Sequence, residues 1–353
     1  KVLISIIDIF IKNGFKVYLI LPNDGPLNNN EIIKKTNLKT INLGVFRKKY
    51  LNIFGLINRL YFIFKSSLHI RKFLKANQID LVYTNTSTLI SPSIAAKLTG
   101  IPSLFHIHEI PNGNPIYSKF ITSFLNVFPR EIICVSKSVY DFWIINGLKK
   151  SKVKIIYNGF SIKKSKSKIL SRDKIVFTSI SRIIPYKGHS ILIRIFEMLC
   201  KKNKNIYLQI IGDTLPEYQK YLHELKLEIK QKGLNNKIKF LGFRDDVISI
   251  LDKSNFFIHT PLSPDPLPTV VFEAIKCKTP VITNNLGGAF EILDQGNNGL
   301  IIKNELVEES AEKILSYLDN KEQQKKNVEK AFNYVCDNFS HEQFKRKILN
   351  SIG

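Results

Sequence analysis

Short apolar runs bounded by turn residues alternate with longer stretches in which apolar positions recur every three or four residues, and the alternation runs nearly the whole chain. Phe15–Pro22, FKVYLILP, is branched and aromatic, sits between Gly14 and NDGP, and reads as a buried strand. The residues before it, 1–13, read as the end of a helix. The next strands are LKTINLG, IDLVYTNT, PSLFHIHE and EIICVS; a long helix over about Leu51–Asn77 and a shorter one at SPSIAAKLTG lie among them. After KVKIIYNGF comes a Ser/Lys-rich polar stretch, Ser161–Lys174, read as a linker or exposed loop. The alternation then restarts with IVFTSIS, NIYLQIIGD, KIKFLGF, NFFIHTP, TPVITN and GLIIK, and with amphipathic helices at Ser190–Lys202 and Tyr218–Lys232. Strands separated by helices imply parallel pairing through right-handed crossovers. The reading is an α/β chain of two doubly wound lobes, 1–160 and 161–353, with a ligand crevice between them and the last helix a candidate to pack back on the first lobe.

Composition narrows this only slightly. A chain of 353 residues, 44% hydrophobic and 23% charged, is that of a globular protein. The single methionine is Met198 and the chain opens inside an apolar pattern, so a missing front end is expected. No run reaches the roughly 18 apolar residues of a membrane span. Cys134, Cys200, Cys277 and Cys336 lie far apart with no CxxC spacing, which argues against structural zinc and for reduced thiols in the cytoplasm. A net charge of +24 suggests a polyanionic partner, yet Lys, Asn and Ile are abundant everywhere, as an AT-biased coding sequence would make them. Both readings of the charge stand. Nucleic acid ranks last as a partner, because no recognised binding motif accompanies the charge.

The chemistry concentrates in PDPLPTVVFEAIKCKTPVITNNLGG, Pro264–Gly288. If NFFIHTP is a strand, its end feeds a loop and then a helix with Pro268 in its first turn. The N–H groups of Thr269, Val270 and Val271 would then point out of the helix start beside its positive dipole end, which is an anion site suited to phosphate. Asp265 lies before that helix and Glu273 within it, ~12 Å apart if helical throughout. An acid on each side of a diphosphate site suits the two hydroxyl-rich ends of a nucleotide sugar.

These residues resemble the Glu-x7-Glu signature of retaining family 4 glycosyltransferases, followed by their GKPVI…GG segment, here CKTPVITNNLGGAFE. SRIIPYKGH, IIGD, FLGFRDDV and IIYNGF are similar to further segments of that family, in family order; in the first half FKVYLILPNDGPL and LFHIHEI resemble its strands. The resemblance implies the GT-B fold of two Rossmann-like lobes with an interdomain cleft, a UDP- or GDP-sugar donor held mainly by the second lobe and a glycan or lipid-linked acceptor held mainly by the first.

Carried over by position, it assigns Arg182 and Lys187 to the donor diphosphate, Glu273 to the ribose hydroxyls, Asp265 to the donor sugar, and Thr269 and Val270 to phosphate. His108 is matched to a histidine contacting the donor sugar. Glu109 either orients His108 or touches the acceptor. His106, taken as the alternate position on the same strand, is read as structural. Gly287 and Gly288 serve either close backbone approach to the donor or a turn.

Two departures stand out: Asp265 is one methylene shorter than the family's Glu, and Pro268 replaces a frequent glycine, removing an N–H that Thr269 would have to supply. With no DxD at a strand end, a metal-independent reaction without cofactor is expected. The family's glycine-rich loop precedes the first residue here, so this form of the chain is expected to lack it and to be inactive. Tyr50–Lys75 mixes aromatic, aliphatic and basic residues at helical spacing; it is either a packed helix or a face for an anionic membrane, on whose inner surface the protein would be peripheral. Rival readings are a nucleotide-sugar epimerase of the same fold and a degenerate, non-catalytic donor-binding subunit.

Overall fold

A computed structural model describes residues 2–45, 52–111, 115–161 and 174–353. The expected linker lies, over residues 162–173, outside the described residues, as do the first two residues of the Tyr50–Lys75 stretch. The chain divides into two compact units, Lys1–Gly159 with His341–Gly353, and Phe160–Ser340. The elements in chain order are α1 (Val2–Lys12), β1 (Tyr18–Leu21), β2 (Asn37–Thr40), α2 (Ile53–Ala76), β3 (Val82–Thr84), α3 (Ser91–Lys97), β4 (Ser103–Ile107), α4 (Pro115–Val127), β5 (Glu131–Cys134), α5 (Lys137–Ile145) and β6 (Val153–Ile155). The second unit holds β7 (Ile175–Ile180), α6 (His189–Lys202), β8 (Ile206–Ile211), α7 (Gln219–Gln231), β9 (Ile238–Phe240), α8 (Val247–Asp252), β10 (Phe256–His259), α9 (Thr269–Lys276), β11 (Val281–Thr283), α10 (Gly288–Ile292), β12 (Leu300–Ile301), α11 (Val307–Asp319) and α12 (Lys321–Asn338). The closing helix α13 (His341–Ile352) belongs to the first unit.

In the first unit the strands pair in parallel as β1-β2 and, separately, as β3-β4-β5-β6. Ile6, Ile9 and Phe10 of α1 and Phe344 and Ile348 of α13 pack with Leu104, Ile133 and Ile156, so two helices distant in sequence bury one apolar cluster. On α2, Ile63, Ile70 and Leu74 are buried. Ser67 Oγ donates to the Ile63 and Ser91 carbonyls at 2.7 and 3.3 Å, tying α2 to the start of α3. The helix starts at Asn52, whose side chain accepts the Gly55 N–H at 2.7 Å. Its other face is unusual: Phe54, Ile57, Leu60, Tyr61, Phe64 and Leu68 are all exposed, Phe54 at 86%.

The second unit carries one six-stranded parallel sheet in the order β12-β11-β10-β7-β8-β9. Phe177, Leu208, Phe256 and Ile258 from the strands pack against Leu192, Phe196 and Leu199 of α6 and against Ile314 and Leu318 of α11. Each such side chain, fully buried, is worth ~1.5–3 kcal/mol of transfer free energy, which makes this sheet a rigid platform. The chain builds outward from β7 through β8 to β9, then returns to β10 and builds the other way. The order therefore reverses between β7 and β10, which pair through Phe177–Phe256 and Thr178–Phe257. In open α/β sheets that reversal leaves a crevice at the carboxyl ends of the two central strands.

Candidate functional site

The carboxyl ends of β7 and β10 deliver the two loops that the sequence singles out. After β7 the chain passes through Ser181 and Arg182 into a single helical turn, Pro185–Lys187, and reaches Gly188. Gly188 has φ +76°, and a Cβ there would stand 1.8 Å from the Thr260 carbonyl oxygen. Only glycine permits that approach, and it clamps the Lys187 turn onto the loop after β10. Beside it, a Cβ on Gly212 would lie 1.9 Å from the Ser181 oxygen, so the glycine of IIGD brings the β8 end equally close.

The clamp brings Lys187 and Asp265 together: Lys187 Nζ donates to Asp265 Oδ2, with the two side chains only 19% and 17% exposed. His259, the last residue of β10 and 2% exposed, places Nε2 3.5 Å from the same oxygen, too far for a good hydrogen bond, and that nitrogen has no other partner among the described residues. Burial alone would raise the Asp265 carboxyl, but His259 and the Lys187 charge outweigh it and hold the group well below the usual carboxylate range. His189 opens α6 with Nε2 3.2 Å from Ser181 Oγ. Burial, reinforced by the nearby Lys187 charge, lowers its pKa to about 4, so it is neutral at pH 7. Arg182 is exposed at the edge of this cluster and its guanidinium has no hydrogen-bond partner among the described residues.

Helix α9 starts as the anion-site argument requires, with two corrections. Pro268 is the residue before the first helical turn rather than within it, with φ −70° and ψ 111°. The Val271 N–H is also not open, because it donates to the Pro268 carbonyl at 3.1 Å in a tight first turn. Thr269 and Val270 keep N–H groups with no acceptor among the described residues, and no side chain caps the helix. Glu273 follows one turn later on α9. Gly287 and Gly288 approach the Asp265 loop itself: the Gly288 N–H donates to the Asp265 carbonyl at 2.7 Å, and a Cβ on Gly288 would stand 2.3 Å from the Pro266 oxygen. Gly287, at φ +71°, would place its Cβ 2.4 Å from the Asp265 oxygen. Both glycines thus hold the loop that carries the acid. Among the described residues no group of three or more His, Cys, Asp or Glu is placed to hold a metal ion.

In the first unit, β4 ends in HIHE. His106 is fully buried, with Nδ1 2.7 Å from Tyr83 Oη, and burial holds its pKa well below the usual value. Strand alternation does not separate it from His108. Residues two apart share a face, and the two rings lie 4.2 Å apart, centre to centre. His108 Nε2 meets Asn85 Oδ1 at 3.0 Å, and burial takes its pKa down to about 4. The Glu109 carboxylate accepts from Thr86 Oγ1, from the Ser87 N–H at 3.2 Å and hydroxyl at 3.3 Å, and from the His108 N–H at 3.2 Å. This arrangement ties the loop after β3 to the end of β4.

Sequence reasoning did not single out His259, His189 or Gly188, although all three lie inside segments it quoted. The available signal was a histidine ending a strand that feeds the acidic loop, and a glycine directly after the basic turn.

The Glycosyltransferase Family 4 profile matches residues 1–164, and the Glycosyl transferases group 1 profile matches residues 161–334. The chain is 26% identical over 264 residues to the UDP-Gal:alpha-D-GlcNAc-diphosphoundecaprenol alpha-1,3-galactosyltransferase of Escherichia coli, covering 68% of this chain and 64% of that protein. To the capsular polysaccharide biosynthesis glycosyltransferase CapH of Staphylococcus aureus it is 28% identical over 225 residues, covering 61% of this chain and 62% of that one. The match thus spans less than two thirds of either relative's length. Among solved structures, HepE of Anabaena superposes with a TM-score of 0.81 at 23% identity over 99% of this chain and 95% of that one; HepE has been solved with UDP, with UDP and glucose, and with UDP-glucose. Two family profiles that together run from residue 1 to 334, on a fold shared with GT-B structures, make this chain a member of the family 4 glycosyltransferases.

Proposed function

We propose that this protein is a retaining glycosyltransferase that moves a sugar from a nucleotide diphosphate sugar to a glycan or lipid-linked acceptor in bacterial surface polysaccharide synthesis. The observation that carries this is the uncapped start of α9 beside Lys187, at the point where the strand order of the second unit reverses. Such a crevice with open N–H groups suits a diphosphate. The lipid diphosphate acceptor in the name of the E. coli relative, the capsule assignment of CapH and the UDP ligands of HepE support the same reading.

In this account Arg182, Lys187 and the Thr269 and Val270 N–H groups bind the diphosphate and stabilise the charge that grows on it as the glycosidic bond breaks. Glu273 accepts from the ribose hydroxyls, and Asp265 orients the donor sugar. In the first unit, His108 keeps a neutral ring at the end of β4, with its backbone N–H held by Glu109. No metal or cofactor enters this scheme. Retention follows if the departing phosphate assists the acceptor hydroxyl on the face it leaves.

A peripheral membrane position completes the proposal. No described helix is long and apolar enough to cross a membrane. The exposed stripe Phe54, Ile57, Tyr61, Phe64 and Leu68 on α2, flanked by Lys65, His69 and Lys72, instead matches a helix that lies in an anionic lipid surface.

Thermal melting with UDP, GDP and their sugars tests the donor site. One nucleotide class should raise Tm in the wild type, and neither should do so in Glu273→Ala or Lys187→Ala. A Tm unmoved by any nucleotide would overturn the transferase reading, and the rival of a degenerate donor-binding subunit with it.

A further inference from the structure

The loops that leave β7 and β8 are joined to each other. The Ser181 N–H donates to the Ile211 carbonyl at 3.0 Å, the Ile183 N–H to the Asp213 carbonyl at 2.9 Å, and Thr214 Oγ1 to the Ile183 carbonyl at 2.7 Å. Each loop then makes one helical turn that opens on proline, Pro185–Lys187 in the first and Pro216–Tyr218 in the second, where the ring fixes φ and stiffens the chain. Tyr186 lies in the first turn and Tyr218 ends the second. Their rings meet at 86° with centroids 6.3 Å apart, and the two Oη atoms share a hydrogen bond at 3.1 Å. The Tyr186 carbonyl accepts the Leu262 N–H at 2.9 Å, which fixes its turn once more.

Neither tyrosine is needed to bind a diphosphate or to hold the two loops, which other hydrogen bonds already join. Tyr186 is nevertheless a 37% exposed aromatic on a rigid turn. Its hydrogen bond with Tyr218 raises its phenol from the ordinary value, so Tyr186 is uncharged at pH 7. Groups that bind hydroxyls surround it. The exposed Arg182 and Glu217 are both within electrostatic reach of the Tyr186 phenol, and Glu217 makes no hydrogen bond through its carboxylate among the described residues. Asp213, also exposed, uses Oδ1 to accept the Thr214 N–H at 2.7 Å and leaves Oδ2 open among the described residues.

We propose that Tyr186 and Tyr218 form a saccharide subsite on the second unit, which receives one neutral pyranose ring of a glycan acceptor. A pyranose carries an apolar C–H face that packs on a tyrosine ring and a rim of hydroxyls for Arg182, Asp213, Glu217 and the two phenols. Two perpendicular rings make a corner, which fits a puckered sugar, whereas a flat nucleobase stacks between parallel planes. The carboxylates of Asp213 and Glu217 oppose a phosphate-bearing ligand and leave a neutral sugar unopposed. Tyrosines held on stiff turns also lose little freedom when a ligand binds. The subsite rests on the transferase reading above and adds to it a glycan contact on the unit that holds the donor.

The test is saturation-transfer NMR on the whole chain with the methyl glycosides of glucose, galactose, mannose and N-acetylglucosamine, both anomers, at millimolar concentration, with irradiation of the aromatic protons. At least one glycoside should receive saturation on the C–H protons of one face. Tyr186→Ala and Tyr218→Ala should each weaken its binding by about threefold to tenfold, the scale of one aromatic contact. Tyr186→Phe with Tyr218→Phe keeps both rings and should retain the saturation. Tyr218→Ala should leave the nucleotide-induced rise in Tm unchanged, and Tyr218→Leu makes the same test if alanine loosens the turn. Three results would each overturn the inference: no saturation of any glycoside, saturation untouched by both alanine variants, or loss of nucleotide stabilisation in Tyr218→Ala and Tyr218→Leu, which would make the pair a nucleobase platform. All three leave the donor reading standing. A wild-type Tm unmoved by UDP and GDP overturns that reading, and the inference that rests on it.

Discussion

Lys187→Ala should cost this protein stability before any ligand is added. The substitution leaves Asp265 as a carboxylate with a 17% exposed side chain and only the His259 ring, 3.5 Å away, still against it. Removing one partner of a fully buried pair costs ~3–5 kcal/mol; with a sixth to a fifth of each side chain still reaching solvent, about 2–3 kcal/mol is expected at pH 7. For a domain of this size that lowers Tm by about 4–12 °C. Asp265→Asn should cost less, about 1 kcal/mol, because the Lys187 stem can carry its ammonium out to water. The double variant should be less destabilised than the sum, with a coupling of about 1–2 kcal/mol.

The pH dependence has a definite sign. The wild-type carboxyl is held below its unfolded value, so its contribution is present above the ~3.9 of a free aspartate and is lost only as the pH falls through the lower folded value. Without Lys187 only His259 still opposes the effect of burial, so the carboxyl rises from its wild-type position and protonation relieves the variant at a higher pH. Its deficit should therefore shrink as the pH is lowered from 7 towards about 4.5. Urea unfolding of the four proteins at both pH values measures this. A deficit under ~0.5 kcal/mol that is independent of pH and additive with Asp265→Asn would refute the reasoning.

Gly188→Ala should be worse than Lys187→Ala, because its Cβ would lie 1.8 Å from the Thr260 oxygen at a φ of +76°; at least ~3 kcal/mol is expected, read as a lower urea midpoint together with loss of nucleotide-induced stabilisation. On α2, Phe54→Ser with Phe64→Ser should leave stability within about 0.5 kcal/mol, since both rings are exposed, while abolishing co-sedimentation with vesicles rich in anionic lipid. Unchanged co-sedimentation would remove the membrane from the account.

Much of the second unit was legible in the sequence because its strands are fully buried and read as short branched runs. IVFTSIS, NIYLQIIGD and NFFIHTP became β7, β8 and β10 within a residue or two. The loop-to-helix step at Pro268 was legible because proline and the apolar period together mark a helix start. Three things were not. The tight first turn that consumes the Val271 N–H is a backbone detail that no side chain announces. The Lys187–Asp265 pair joins residues far apart in sequence through a glycine clamp, and only the strand order β10-β7 puts them side by side. The face of α2 was ambiguous because both its sides are apolar, and sequence periodicity cannot say which side finds a partner.

The central claim is that a nucleotide diphosphate sits at the start of α9. A crystal structure of the chain soaked with the nucleotide that raises Tm most tests this directly. The account predicts phosphate oxygens within hydrogen-bonding distance of the Thr269 and Val270 N–H groups, Lys187 turned from Asp265 towards them, and ribose hydroxyls on Glu273. Nucleotide bound elsewhere on the chain, with Lys187 still on Asp265, would contradict it.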